Sequence, residues 1–305
     1  MKLNTYQKTA ITTVGAVIFL IFVGGLVRAA GAGLGCPDWP KCFGLWIPPT
    51  SVADLPAGFD ASQFSVFKTW TEYLNRLVGA IIGILITATF VLSFRYRKDK
   101  PSIFYSSVAA FVMVIVQGWL GGQVVQSGLS EWLITVHMVL AMIIMSTLLF
   151  AAFKATEDHW HVELAQSTQR WLFGVGVLLF MLTMIQLVLG TEVREAVDKV
   201  AKGASALPRE IWLANIDFID EVHRTFSWTV LLSGVGLFCL SRKWSESPLL
   251  KKLSLAILGM IILQIVLGVG LYYLGMPPVY QVLHLVGVAI LICLEFLFLL
   301  IVRPK

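Results

Sequence analysis

Asp220-Glu221-Val222-His223-Arg224 opens a long apolar run. A histidine and an arginine inside a membrane-length segment need partners from the protein, because lipid offers them none. A second such histidine, His284, sits at the same end of a later apolar run. About 148 residues before His223 the pattern returns as Glu72-Tyr73-Leu74-Asn75-Arg76, and His137 stands to Asn75 roughly as His284 stands to His223. Two imidazoles facing each other in a helical bundle are a usual way to hold a haem iron from both sides. A lone intramembrane histidine is more simply a hydrogen-bonded interior residue or a proton relay. A pair recurring at matched depth in a duplicated frame favours haem ligation.

The charges beside these positions suit the same chemistry. Arg76 and Arg224 directly follow site positions, and Arg28 and Arg194 stand at the ends of the first and fifth apolar runs. Haem propionates are carboxylates, which the guanidinium fork matches. The alternative for Arg28 and Arg194 is that they snorkel to the outer interface. Glu72 lies three residues before Asn75 and shares its helix face. It either moves protons beside a buried ligand or simply pairs with Arg76 at i,i+4. Asp220, with Glu221 beside it, takes the matching place in the second half. His159 and His161, in the polar stretch 157–169, read as solvated.

The elements that carry these residues follow from composition. Of 305 residues, 57% are hydrophobic and 13% charged, which describes an integral membrane protein embedded in a lipid bilayer. The net charge of +5 is spread over loop ends and reads as topology, with no nucleic-acid footprint. Eight apolar runs of roughly 20 residues each can span. They are predicted at 9–29, 70–94, 103–125, 132–153, 171–192, 217–240, 253–275 and 280–301, and helices are the only option for them in a bilayer. Fourteen Lys and Arg fall on the side of both termini and seven on the other, which places both termini in the cytoplasm. A cleaved signal peptide is the rival reading of the first run, since Ala29-Ala30-Gly31-Ala32 offers small residues. Against it, Gly24 to Arg28 is echoed by Gly190 to Arg194, and a repeated element is a poor candidate for removal.

That echo belongs to a duplication. Gln117-Gly118-Trp119-Leu120-Gly121 matches Gln264-Ile265-Val266-Leu267-Gly268, Asn75-Arg76 matches His223-Arg224, and His137 matches His284. Four spans per half make the repeat parallel. The fold predicted is all-α, with eight transmembrane helices in two pseudo-symmetric four-helix bundles, residues 1–160 and 161–305. Cys239 and Cys293 lie in apolar runs and read as small packed hydrophobes. Cys36 and Cys42, with five residues between them in a polar outer loop, suggest a disulfide, either a staple or a labile bond. No further Cys or His is near enough for zinc. The matching loop of the second half, 195–215, has no cysteine.

The loop Gly33-Leu34-Gly35-Cys36-Pro37-Asp38-Trp39-Pro40-Lys41-Cys42-Phe43-Gly44 resembles the hallmark of the haem A synthase family. Glu72 to Arg76, the His137 span, His223-Arg224 and His284 resemble it too, and the likeness runs from about residue 10 to residue 300. The resemblance implies an eight-helix enzyme of a bacterial-type cell (inner) membrane that oxidises the C8 methyl of haem O to the formyl of haem A. It assigns a bis-His haem B to the C-terminal half through His223 and His284. It places the substrate haem in the N-terminal half, with His137 as a ligand, Glu72 as catalytic carboxylate and Cys36–Cys42 as the family's disulfide. Partners implied are haem O, an electron donor that the sequence leaves unnamed, and contact with a haem O synthase or a terminal oxidase. Gly-rich faces also permit a homo-oligomer.

One departure matters. Asn75 stands where the family usually has a fourth histidine, and an amide is a poor iron ligand. The expectation is a five-coordinate N-terminal haem, open on one face. Residues alone also support a membrane di-haem electron-transfer cytochrome linked to quinol. A transporter is disfavoured, because the two halves lack matching Gly/Pro-broken helices at mid-membrane.

Overall fold

A computed structural model describes residues 3–160, 162–202, 208–216 and 218–304. Among them the regular structure is helical, and one isolated bridge, between Cys42 and Leu45, is the extent of β-pairing. Eight long helices run in chain order: α1 Thr5–Ala29, α2 Val66–Ser93, α3 Pro101–Gln126, α4 Glu131–Thr156, α5 Gln166–Lys202, α6 Ile219–Trp244, α7 Pro248–Tyr273 and α8 Pro278–Val302. Each is long and apolar enough to cross a membrane. The least apolar is α6, whose first turns carry Asp220, Glu221, His223 and Arg224.

The helix starts are written in the sequence. Asn4 and Gln7 form a reciprocal capping box at α1, with hydrogen bonds of 3.0 and 2.8 Å. Proline opens α3, α7 and α8, where its missing N–H costs nothing. The turns after α3 and α7 repeat the same backbone device. Gly128 and Leu129 (φ 68° and 68°) leave α3, and Gly275 and Met276 (φ 69° and 57°) leave α7, all in the left-handed region. The duplication is therefore visible in conformation as well as in residue type.

The helices overrun the predicted spans at most ends, and α5 does so most. It was expected over 171–192 and runs from Gln166 to Lys202. Two i,i+4 ion pairs, Arg194–Asp198 at 2.8 Å and Lys199–Glu195 at 2.6 Å, support the polar extension. Arg194 thus lies within α5 and does not end it, and much of the expected loop 195–215 is helical. His159 is exposed as expected, while His161 lies outside the described residues. Cys293 is half-buried, but Cys239 is on the exposed face of α6, where lipid is its neighbour.

The chain divides into two compact units, Met1–Ala152 and Phe153–Lys305. In the first, α2 packs on α1 and α3. Polar side chains knit these contacts: Tyr6 Oη with Ser107 Oγ at 2.9 Å, and Thr13 with Thr89 at 3.1 Å. In the second, α5 packs on α6 and α8, and α7 on the same two, closing a four-helix bundle. Its core is built on Leu179, Leu237, Leu250, Ile257 and Phe298. Within this bundle the buried carboxyl of Glu295 accepts one hydrogen bond, from Thr183 Oγ1 at 2.8 Å, and its Oε2 has no partner.

An incompletely satisfied buried acid is costly, and removing donor and acceptor together relieves it. The double substitution Thr183→Val, Glu295→Met is therefore expected to leave thermal stability equal or higher. Thr183→Val alone, which strips the carboxyl of its one bond, is expected to lower stability by about 1–3 kcal/mol. Thermal melts of the purified protein in detergent compare the two.

Candidate functional site

In the first unit the site begins with the cysteine loop on α2. Cys36 and Cys42 form a disulfide. Both are buried, under Phe43 with Leu55, Phe59, Phe64 and Tyr73 packed around them. A disulfide without solvent access is a staple, so the structure favours that reading over an exchanging bond. Asp38 closes the loop from inside by accepting the backbone N–H of Phe43 (2.6 Å) and of Gly44 (2.9 Å). Those two residues turn the chain through the left-handed region, at φ 55° and 73°.

Glu72 and Arg76 fasten this loop to the helix. Glu72 accepts the Cys36 N–H at 2.9 Å on Oε2 and pairs with Arg76 through Oε1. Arg76 donates to the carbonyls of Asp38 (2.7 Å), Lys41 (2.8 Å) and Cys36 (3.3 Å). Thr69 adds a bond to the Gly35 carbonyl at 2.8 Å. Gly35 is needed for this approach, because a Cβ there would overlap the backbone of Lys68. Of the two readings of Glu72, the i,i+4 pair with Arg76 is formed, and it does more than neutralise charge: both side chains are tied to the loop. Sequence reasoning missed this clamp, although the glycine before Cys36 marks a close backbone approach.

Below the clamp, Asn75 shares the inner face of α2 with Glu72, Gly79 and Gly83. A Cβ at either glycine would meet nothing within 4 Å, so nothing packs against these two positions. His137 lies in the second turn of α4. Gln117 of α3 donates to its main-chain carbonyl at 3.0 Å, and Gly121 borders its ring. The loop also reaches α3, where Trp39 lies against Gly122.

The second unit places His223 on α6 and His284 on α8 within electrostatic reach of each other. Gln186 of α5 donates to the His223 carbonyl at 3.0 Å, and Gly190 borders that ring. Arg224 pairs with Asp220 at 2.8 Å and lies over the Tyr272 ring at 4.5 Å. Arg194 pairs with Asp198, while its buried Nε has no partner. Arg28, near the end of α1, is engaged as well.

The three imidazoles share one property: Nδ1 of His137, His223 and His284 is buried without a hydrogen-bond partner. Buried polar atoms are ordinarily satisfied, so three orphaned ring nitrogens in matching places ask for a ligand. Among the described residues no group of three or more His, Cys, Asp or Glu could hold a bare metal ion. Paired imidazoles suit an iron whose remaining ligands come from a macrocycle. The residues therefore fit haem, with two imidazoles in the second unit and one in the first.

Comparison with known proteins agrees in extent. Residues 7–296 match the COX15-CtaA family, described as "Cytochrome oxidase assembly protein". The chain is 26% identical to a heme A synthase of Shewanella oneidensis, covering 90% of each chain. It is 27% identical to a heme A synthase of Orientia tsutsugamushi, covering 93% of this chain and 92% of the relative. A heme A synthase of Paracoccus denitrificans is 24% identical, over 95% of this chain and 84% of the relative.

Removing the arginine of the clamp strands a buried carboxylate and three carbonyls. Arg76→Gln is expected to destabilise the first unit by about 3–5 kcal/mol and to expose Cys36 and Cys42 to mild reductant. Gly35→Ala should expose them likewise by pushing the loop off α2. Thermal melts, with maleimide labelling after brief reduction, would detect both effects; an unlabelled disulfide in both variants would refute the clamp.

Proposed function

This chain belongs to the COX15-CtaA family of cytochrome oxidase assembly proteins, and on that premise we propose that it is a membrane oxidoreductase converting haem O to haem A. The observation that carries the reading is the unequal set of orphaned imidazoles, two in the second unit and one in the first. Two ligands saturate an iron and suit electron transfer, whereas one ligand leaves a face open for chemistry.

The second unit would hold haem B between His223 and His284. When bound, this group supplies one-electron transfer. The first unit would take haem O as substrate on His137, beside the face of Asn75, Gly79 and Gly83. With water as the oxygen source, oxidising the C8 methyl to a formyl group releases four protons and four electrons, and the electrons would have to pass to an external one-electron acceptor. Glu72 is the one buried acid among the described residues of this unit. It is one turn from Asn75, and its role would be to take up protons near the reacting methyl while Arg76 holds its charge. Arg28, Arg76, Arg194 and Arg224 remain the candidates for the propionates. Arg194, with its buried unpartnered Nε, is the best supported, and Arg76 the least, because it is spent on the loop. Both termini would be cytoplasmic in a bacterial inner membrane, with the haem sites and the disulfide toward the outer face.

Co-expression with a source of haem O, followed by chromatography of the extracted haems, tests this. Wild type is expected to accumulate haem A. His137→Ala should stop haem A formation yet keep the low-spin bis-His spectrum, while His223→Ala or His284→Ala should abolish that spectrum. Wild-type protein yielding haem B alone would replace the enzyme with an electron-transfer cytochrome. If haem A forms only after Asn75→His, the open-face assignment is wrong.

A further inference from the structure

Three glutamines stand against the three histidines, and the function proposed above uses none of them. Gln117, Gln186 and Gln264 lie on α3, α5 and α7, each four residues before a glycine: Gly121, Gly190 and Gly268. That spacing puts amide and glycine on one helix face, a turn apart. In every case the glycine borders the histidine ring of the next helix. A Cβ would meet the ring Cε1 at 3.5 Å for Gly121, 3.2 Å for Gly190 and 3.8 Å for Gly268.

Two of the amides have the same target. Gln117 and Gln186 each donate Nε2–H to the main-chain carbonyl of the histidine itself, both at 3.0 Å. Gln264 differs: its backbone bonds to His284, while its buried Nε2 has no partner and lies against Gly287. Generic interhelical hydrogen bonds in membranes, worth about 0.6 kcal/mol on average, would fall on any carbonyl. Here two independent bonds fall on the one residue that carries an imidazole. The repeat places Leu20 and Gly24 of α1 where α5 has Gln186 and Gly190, facing the helix of Asn75. At that fourth place Leu20 stands for the glutamine and Asn75 for the histidine.

We propose that Gln117 and Gln186 are positioning residues that lock α4 and α6 at the ligand residue, so that the imidazole meets iron at a fixed height. The inference rests on the haem reading given above. The amide anchors the backbone from which the ring projects, and the glycine leaves room for the ring edge. The ring nitrogen Nδ1 stays uncommitted, as it does in all three places. No bond to iron is required of the glutamine. Its effect is to remove the helix sliding and rotation that would otherwise spread the ring over many positions.

The test uses full-length protein loaded with haem, in detergent. Gln186→Met keeps size but loses the amide. The expected result is a loss of haem B affinity of about 10- to 100-fold, typical of outer-shell partners, with shifted g values in the low-spin electron paramagnetic resonance spectrum. Gln117→Met should weaken haem O retention in the same way and leave those g values unmoved. Thr183→Val breaks one cross-helix bond elsewhere in the same bundle. It should lower stability and leave haem affinity and g values alone, as a purely structural loss would. If the Met variants fold poorly, the glycines decide: Gly190→Ala must displace a ring and should shift g values more than Gly268→Ala. Wild-type affinity and g values in the Met variants, or equal haem loss from Thr183→Val, overturn the proposal while the bis-His spectrum upholds the haem reading. A wild-type protein without that spectrum removes both.

Discussion

Inside a bilayer every polar group must find its partner within the protein, and this one constraint organises the molecule. It explains why Tyr6 meets Ser107, why Thr13 meets Thr89, and why Glu72 is enclosed by a backbone N–H and a guanidinium. The same constraint makes the exceptions informative. Nδ1 of His137, His223 and His284 is left without a partner, although glutamines adjoin these histidines. Three unpartnered Nδ1 atoms in matching places are what the haem reading proposed above would account for.

The two units meet this constraint differently at their outer ends. In the first, an irregular loop is folded back on α2 and made rigid by a buried disulfide, an aspartate turn and the Arg76 clamp. In the second, α5 continues as a polar helix supported by its own ion pairs. A loop with its carbonyls already gripped can shape the rim of a site, because none of its backbone has to be ordered when substrate arrives. A helix extension offers side chains only. The unit with the single imidazole is the one with the pre-ordered rim, which suits a site that must admit and release a large flat substrate.

Much of this was legible in the sequence. Eight spans, the parallel duplication and the three histidines all follow from hydropathy and spacing, because lipid leaves few ways to fold an apolar run. The disulfide followed from two cysteines in one outer loop. The clamp did not. Whether Glu72 pairs with Arg76 or stands free depends on where Cys36, Asp38 and Lys41 lie in space, and those residues are up to 40 positions away in the chain. The end of α5 was also hidden, since a hydropathy reading stops at Glu192 and Arg194 while the helix continues on ion pairs. Gln186 escaped notice for a related reason. Only two of the three glutamine–glycine steps are flanked by matching sequence, and the third is recognised by what it touches.

The left-handed turns at Gly128-Leu129 and Gly275-Met276 carry a final implication. From each of those glycines the chain counts nine residues to a histidine, Gly128 to His137 and Gly275 to His284. The turn fixes the start of the helix, and each helical residue advances about 1.5 Å and about 100°. The segment is therefore a ruler whose zero is the turn and whose last mark is the imidazole. One residue gained or lost along it would swing the ring to another face of the helix. The stretch 45–65 between the cysteine loop and α2 has no such mark to keep. A change of length in that stretch would leave both counts intact, whereas the short turns set the height of each imidazole on its helix.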